Sequence, residues 1–163
     1  NGRFSEAIDT LEYASVHLPE SVEIDDKLLR LYEDRSTGNS GDDRSNRIKL
    51  ARIYREKGKV DQAIAKLESL PLSDVHRRID YVLEMGKCLT LKDKAKTAIR
   101  LIEQTLEGQK VNEETQELYY DLALAYQQEG LDDKYNITLG KIMVYDLDYK
   151  DVVQRVGKYN RQG

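Results

Sequence analysis

The chain has 163 residues, of which 34% are charged and 39% are apolar, and its net charge is −4. The acidic balance, without a recognisable nucleic-acid-binding module, argues against binding of DNA or RNA. The one cysteine, Cys88, excludes an intrachain disulfide and a thiolate metal cluster. No run of about 18 apolar residues is present, so we expect no membrane insertion by this segment, and a cytoplasmic location is favoured.

The first part of the chain carries two predicted helices and one linker. Apolar residues recur at helical spacing near residues 4–16 and 21–34, and the second stretch places Leu28, Leu29 and Tyr32 on one stripe. Residues 36–43 then read Ser-Thr-Gly-Asn-Ser-Gly-Asp-Asp, a composition typical of a loop. We expect this linker to act either as an ordered return strap that keeps the later helices stacking or as a hinge.

The rest of the chain is predicted to be helical, with short turns between the helices. The expected helices lie near residues 45–57, 60–70, 74–91, 94–107, 113–129 and 132–145. A final helix over residues 149–159 follows Asp148, a good N-cap residue. No stretch alternates polar and apolar residues as a half-buried strand does. These elements predict an all-α fold.

One pattern of five residues returns three times in these helices. It occurs as Ala51, Tyr54, Gly58, Ala63 and Leu67, then as Gly86, Leu89, Asp93, Ala98 and Ile102, and then as Ala123, Tyr126, Gly130, Tyr135 and Leu139. The small residues at the first position, and at the fourth position of the first two copies, let helices approach closely. Gly58 and Gly130 at the third position end a helix in the left-handed conformation, and Asp93 takes that place in the second copy. A period of about 35 residues with this content predicts an array of helix–turn–helix repeats.

The repeated residues resemble the tetratricopeptide repeat (TPR) family. Leu50-Ala51, Tyr54, Gly58 and Ala63 match its pattern best, and Leu122-Ala123, Tyr126 and Gly130 follow. A turn and a second helix without their first helix are indicated by Gly2, Phe4, Ala7, Leu11, Ala14 and Pro19. We therefore expect this chain to be a piece of a longer TPR-containing protein.

The resemblance implies a right-handed α-α superhelix that ends in a C-terminal capping helix. Three repeats are expected over about residues 44–73, 74–111 and 112–148, and the capping helix over 149–159. Residues 1–43 then hold a partial repeat, an extra helix without a partner helix, and the linker.

In arrays of this kind the first helix of each repeat lines a concave groove. The candidate binding residues are those on the first helices that point away from the packing stripe. We expect a groove that is basic at one end, apolar in the middle and polar at the other end. Its expected residues are Arg44, Ile48, Arg52, Arg55, Leu83, Lys87, Tyr120, Leu124 and Gln127. The alternative is that Leu83 and Leu124 pack into seams between repeats and that the arginines form a solvated face.

The predicted function is a non-catalytic protein–protein interaction module whose groove binds a partner protein or peptide. Arg52 and Arg55 would pair with carboxylates of that partner. The alternative is a regulatory sensor, in which a peptide or small effector closes the array and controls a linked domain. No catalytic residue, metal site or cofactor is predicted, because acidic pairs such as Asp132-Asp133 lie at helix starts and no phosphate-binding glycine loop occurs. Self-association stays open.

Overall fold

The structure is a computed structural model, and it describes residues 2–18, 21–35, 41–70 and 79–159. Within these ranges the chain forms nine α-helices and no strand, which confirms the predicted all-α class. The helices are α1 (Gly2–His17), α2 (Val22–Arg35), α3 (Gly41–Glu56), α4 (Val60–Glu68), α5 (Ile79–Leu91), α6 (Ala95–Leu106), α7 (Gln116–Gln128), α8 (Asp132–Tyr145) and α9 (Val152–Tyr159). None of these described helices is long and apolar enough to cross a membrane.

The chain divides into two compact units, Asn1–Leu70 (unit 1) and Pro71–Gly163 (unit 2). In unit 1, α1 packs on α2, α2 on α3, and α3 on α4. In unit 2, α5 packs on α6 and α7, α6 on α7, α7 on α8, and α8 on α9. The observed boundary follows α4, whereas the sequence analysis places a division at residues 43 and 44.

The helix that was expected to lack a partner, α2, is packed on both of its neighbours. Its Leu28 and Tyr32 are 3% and 1% exposed, so they belong to the core of unit 1. The Tyr54 hydroxyl of α3 donates a hydrogen bond to Glu33 of α2 over 2.5 Å. The Tyr126 hydroxyl of α7 donates in the same way to Glu103 of α6 over 2.5 Å. Helix α2 thus packs against α3 through the same tyrosine–glutamate contact that joins α6 to α7.

Each copy of the five-residue pattern closes its first helix in the same way. Gly58, Asp93 and Gly130 have φ angles of 72°, 57° and 69°. The amide of the residue that follows each of them donates to the carbonyl five residues earlier, over 2.8 Å to Tyr54, 2.9 Å to Leu89 and 2.9 Å to Tyr126. This is the Schellman arrangement, which needs one left-handed residue after the helix. The turn position of the pattern is therefore confirmed in all three copies.

The small residues of the pattern lie where helices cross. Ala51, Ala63, Ala98 and Ala123 are all 0% exposed. Gly86 is buried in α5, and a Cβ added to it would come within 3.2 Å of the Cδ1 atom of Ile102 in α6. Larger side chains at these positions would push the paired helices apart.

Two element boundaries differ from the sequence-based expectation. Helix α3 begins at Gly41, so the last three residues of the expected linker are helical, and residues 36–40 lie outside the described part of the chain. Helix α9 begins at Val152, so Asp148 is not its N-cap. The Asp148 amide instead donates to Asp146 Oδ1 over 3.0 Å within the turn that follows α8. Pro19 and the expected helical residues 74–78 also lie outside the described residues.

Candidate functional site

An open cleft of about 350 Å³ lies among the first three helices of unit 1. The buried residues Leu28 and Tyr32 of α2 line it, and α3 contributes polar groups to its walls. The full lining is Glu12, Ser15, Leu28, Tyr32, Lys49, Arg52, Ile53 and Glu56. The cleft thus has a small apolar surface together with both basic and acidic side chains.

Glu12 is the carboxylate of this cleft that pairs with a lysine and a tyrosine. Its Oε1 atom accepts a hydrogen bond from Lys49 Nζ over 2.8 Å and another from the Tyr32 hydroxyl. Partial burial alone would raise the pKa of Glu12, but these hydrogen bonds and the attraction of Lys49 and Arg52 lower it below its usual value. The carboxylate therefore stays ionised and holds Lys49 in place, whereas Arg52 is an exposed residue at the cleft.

The four predicted binding residues of α3 have different surroundings. Arg52 lines the cleft. Arg44 is half-buried, and Arg55 is half-buried with its Nη2 atom 3.3 Å from Glu56 Oε1. Ile48 is only 3% exposed and belongs to the core, contrary to the expectation that it faces the groove. Ile48 precedes Ala51 by three residues, and that spacing puts both on the same helix face.

The predicted binding residues of unit 2 lie among contacts between helices. Leu83 and Leu124 are both half-buried. Lys87 of α5 places its Nζ atom 2.9 Å from Glu117 Oε1 and 3.7 Å from Asp121 Oδ2, both on α7. Lys87 therefore joins α5 to α7.

The C-terminal segment, residues 149–155, lies against the remaining predicted residues of α7. The Tyr120 hydroxyl donates to Asp151 Oδ1 over 2.6 Å, and Lys150 Nζ is 4.4 Å from the centre of the Tyr120 ring. Arg155 donates from Nη1 to Gln127 Oε1 over 3.3 Å. Tyr120 is 7% exposed as a result. These two predicted groove positions thus hold the chain's own C-terminal segment.

The pKa values of two carboxyl groups in this region are shifted in opposite directions. Burial would raise the pKa of Glu117, but hydrogen bonds from Lys150, Tyr149 and Lys87 outweigh it and lower the pKa to about 2. Burial raises the pKa of Asp121 to about 6, because the nearby ammonium of Lys87 offsets only part of the desolvation. The Asp121 Oδ2 atom is buried and has no hydrogen-bond partner among the described residues.

A larger open groove, of about 830 Å³, runs along the C-terminal half of α8. Its apolar residues include Ile137 and Val144, which are 62% and 88% exposed. The full lining is Gln109, Lys110, Val111, Tyr119, Ile137, Gly140, Lys141, Met143, Val144 and Tyr145. This groove was not predicted from the sequence, because only the first helices of the repeats were expected to bind a partner. The available signal was that Ile137 and Val144 lie off the packing stripe of Tyr135, Leu139 and Ile142.

The described side chains give no metal centre. Within residues 2–18, 21–35, 41–70 and 79–159, no three His, Cys, Asp or Glu side chains lie close enough together to hold an ion. Cys88 is 0% exposed inside α5.

Comparisons with known proteins show the fold. No known family profile matches the chain, and no curated protein matches it. Two similar crystal structures come from Podosopora anserina, of a protein assigned as a kinesin light chain with nearly identical TPR-like repeats. One, a single-substitution variant, is 17% identical with a TM-score of 0.60 over 95% of this chain and 90% of that chain. The other is 17% identical with a TM-score of 0.58 over 88% and 87% of the two chains. The chain therefore has a TPR-like helical repeat fold of the α-α superhelix class.

Proposed function

We propose that the chain is a non-catalytic protein–protein interaction module that binds a peptide segment of a partner protein in the cleft among α1, α2 and α3. The observation that carries this proposal is the cleft of unit 1, which Arg52 lines beside the buried side chains of Leu28 and Tyr32. Solenoid folds use extended surfaces of this kind to hold partners.

The chemistry of the cleft favours a peptide with one acidic side chain next to an apolar one. An apolar side chain would enter the depression over Leu28, while its carboxylate neighbour would pair with the guanidinium of Arg52. Arg52 is exposed and lines the cleft, so its guanidinium is accessible to a carboxylate of the partner. Arg55 does not line the cleft, and we leave it out of the test.

The test compares wild type, Arg52→Glu and a matched control, Arg100→Glu, as bait in pull-downs from native lysate read by mass spectrometry. Arg100 is an exposed arginine of α6 in unit 2, so its reversal makes the same change of charge at a residue that does not line the cleft. We expect a partner that wild type and Arg100→Glu retain and that Arg52→Glu loses. Both variants should keep the free energy of unfolding within about 0.5 kcal/mol of wild type, as is usual for surface changes.

Equal retention by all three baits would contradict the cleft of unit 1 as the binding site. Unfolding of Arg52→Glu would instead show that Arg52 has a structural role. In that case Arg52→Gln, which removes the charge without reversing it, separates the two effects. If Arg52→Gln is folded and no longer retains the partner protein, the cleft is supported as the binding site.

The sensor alternative stays a separate prediction that concerns the linker. Because α3 begins at Gly41, a deletion that tests it should be confined to residues 36–40 and leave the helix intact. A sensor requires compaction on addition of its ligand in small-angle scattering, and the deletion should abolish that compaction. A module that only docks a partner should bind that partner with or without these residues.

A further inference from the structure

We propose that the groove along α8 is a second docking surface, and that it takes an amphipathic helical segment of a partner with carboxylates beside its apolar face. This goes beyond the proposed function, because the groove belongs to unit 2 and shares no residue with the cleft of unit 1. Four arguments support this proposal: apolar exposure, a fixed wall, open space and charge.

The apolar residues of the groove form a strip that suits a helix. Ile137 and Val144 are seven residues apart on α8, so they lie on one face about 10 Å apart along the helix axis. Tyr145 adds a ring that is 44% exposed. Apolar side chains this exposed along two helical turns indicate a surface for another chain, since an enclosed ligand pocket would hide them.

The wall opposite α8 is held in place before any partner arrives. The Tyr119 hydroxyl donates to the Gln109 carbonyl over 2.8 Å, and Gln109 Nε2 donates to the Thr105 carbonyl over 2.6 Å. Beyond Lys110, Thr115 Oγ1 donates to the Lys110 carbonyl over 2.9 Å. A partner would therefore not have to order this loop, and preorganisation of this kind lowers the cost of binding.

Gly140 keeps the middle of the groove open. It lines the groove, and a Cβ added to it would meet nothing within 4 Å. Helix interiors favour alanine over glycine, so the helix itself does not require glycine here. The absence of a side chain leaves room for one from the partner.

The charge of the lining selects an acidic partner. Two of the ten lining residues, Lys110 and Lys141, are cationic and none is anionic, although the whole chain is acidic. Lys141 Nζ is 5.9 Å from the centre of the Tyr119 ring, and within the described part of the chain neither lysine pairs with a carboxylate. Carboxylates that flank the apolar stripe of a partner helix would pair with these ammonium groups.

The experiment measures fluorescence anisotropy of labelled synthetic peptides of about 14 residues, which span about 21 Å as a helix. The acidic peptide places Leu at i, i+3, i+4 and i+7 and fills the other positions with Glu and Gln. A basic peptide replaces each Glu with Lys, and a third peptide keeps the acidic composition but spreads Leu around the helix. We expect the acidic amphipathic peptide to bind at least about tenfold more tightly than either of the others.

Variants of the full chain locate the binding. Val144→Asp and Gly140→Leu should each weaken binding of the acidic peptide by about tenfold or more, the first by adding a buried charge and the second by filling the open space. Lys110→Glu combined with Lys141→Glu should reverse the preference toward the basic peptide. Val153→Asp is the matched control, because Val153 is 48% exposed but lies on α9 outside the groove.

Three results would overturn the proposal. The first is equal binding of the acidic and basic peptides. The second is unchanged binding by Gly140→Leu when circular dichroism shows that this variant is folded. The third is a loss of binding in Val153→Asp as large as that in Val144→Asp. Sedimentation equilibrium tests whether a second copy of the chain occupies the groove instead. If wild type is a dimer and Val144→Asp is a monomer, the groove is assigned to the second copy. Arg52→Glu should leave unchanged the part of the peptide binding that Val144→Asp removes, so this proposal and the proposed function can fail separately.

Discussion

Gly130 and Gly140 show that the same amino acid can be selected for different reasons ten residues apart. Neither would meet another atom within 4 Å if it carried a Cβ. Gly130 has a φ of 69° at the end of α7, whereas Gly140 lies inside α8, where the backbone is helical. A side chain at Gly130 would therefore strain the backbone without clashing with a neighbour. A side chain at Gly140 would neither strain the backbone nor clash.

This pair makes a matched prediction. Gly130→Ala should lower the free energy of unfolding by about 1–2 kcal/mol, because an L-residue is strained in the left-handed region. Gly140→Ala should raise it by about 0.5–1 kcal/mol, because alanine loses less conformational entropy in a helix. Urea unfolding followed by circular dichroism measures both, and effects of the same sign would contradict this reading of the two positions.

Ile48 shows the limit of reasoning about single residues from a helical projection. The sequence analysis placed it with Arg52 on a binding face, and Ile48 is four residues from Arg52. It is also three residues from Ala51, whose side chain is buried. In the structure Ile48 lies in the core with Ala51. Residues near the edge of two faces can belong to either, and only the position of the neighbouring helices decides between them.

At the scale of the helices, the recurring contact is a tyrosine of one helix with a glutamate of the preceding helix. Tyr54 with Glu33 and Tyr126 with Glu103 join α2 to α3 and α6 to α7. Burial first, and then the hydrogen bond to the carboxylate, raise the pKa of Tyr54 to about 12. Each contact supplies a directional link between consecutive helices, in addition to the burial of apolar side chains.

Helix crossings make a second matched prediction. Ala63 of α4 is 0% exposed at its crossing, whereas Ala65 on the same helix is exposed. Ala63→Leu should lower the free energy of unfolding by about 1–3 kcal/mol, because the added atoms overpack the crossing. Ala65→Leu should change it by no more than about 0.5 kcal/mol. Thermal melting of both variants is the measurement, and equal melting temperatures would contradict the assigned crossing.

At the scale of the whole molecule, two carboxyl groups with shifted pKa values contribute to how stability depends on pH. The pKa of Glu117 is lowered, so its contribution is present above its usual pKa and is lost as the pH falls toward about 2. The pKa of Asp121 is raised from 3.8 to about 6, so the folded state binds a proton that the unfolded state has released. Ionised Asp121 therefore destabilises the fold above about pH 6, and stability is gained as the pH falls from about 6 to about 4.

The corresponding prediction compares Asp121→Asn with wild type at two pH values. At about pH 7.5 the variant should unfold with a free energy higher by about 1–3 kcal/mol, because it removes a buried charge that burial disfavours. At about pH 4 the difference should nearly vanish, because the wild-type carboxyl is then neutral in the folded state. A difference in free energy that is the same at both pH values would show that Asp121 is not the titrating group.

The sequence by itself determined the repeat fold and its turns. The five-residue pattern predicted which positions are small, which are buried and which leave the helix with a left-handed residue, and these properties depend on local backbone geometry and on helix periodicity. Such properties are encoded within about 20 consecutive residues, so they can be read without knowing how distant helices meet.

The tertiary structure alone decided which surfaces remain open. Sequence periodicity marks the side of a helix that packs, but it does not show whether a later segment covers the opposite side. Residues 149–155 cover Tyr120, while Ile137 and Val144 of α8 stay exposed. The reason is physical: a helix has one buried stripe set by its own residues, whereas the burial of every other position depends on contacts between residues far apart in the chain.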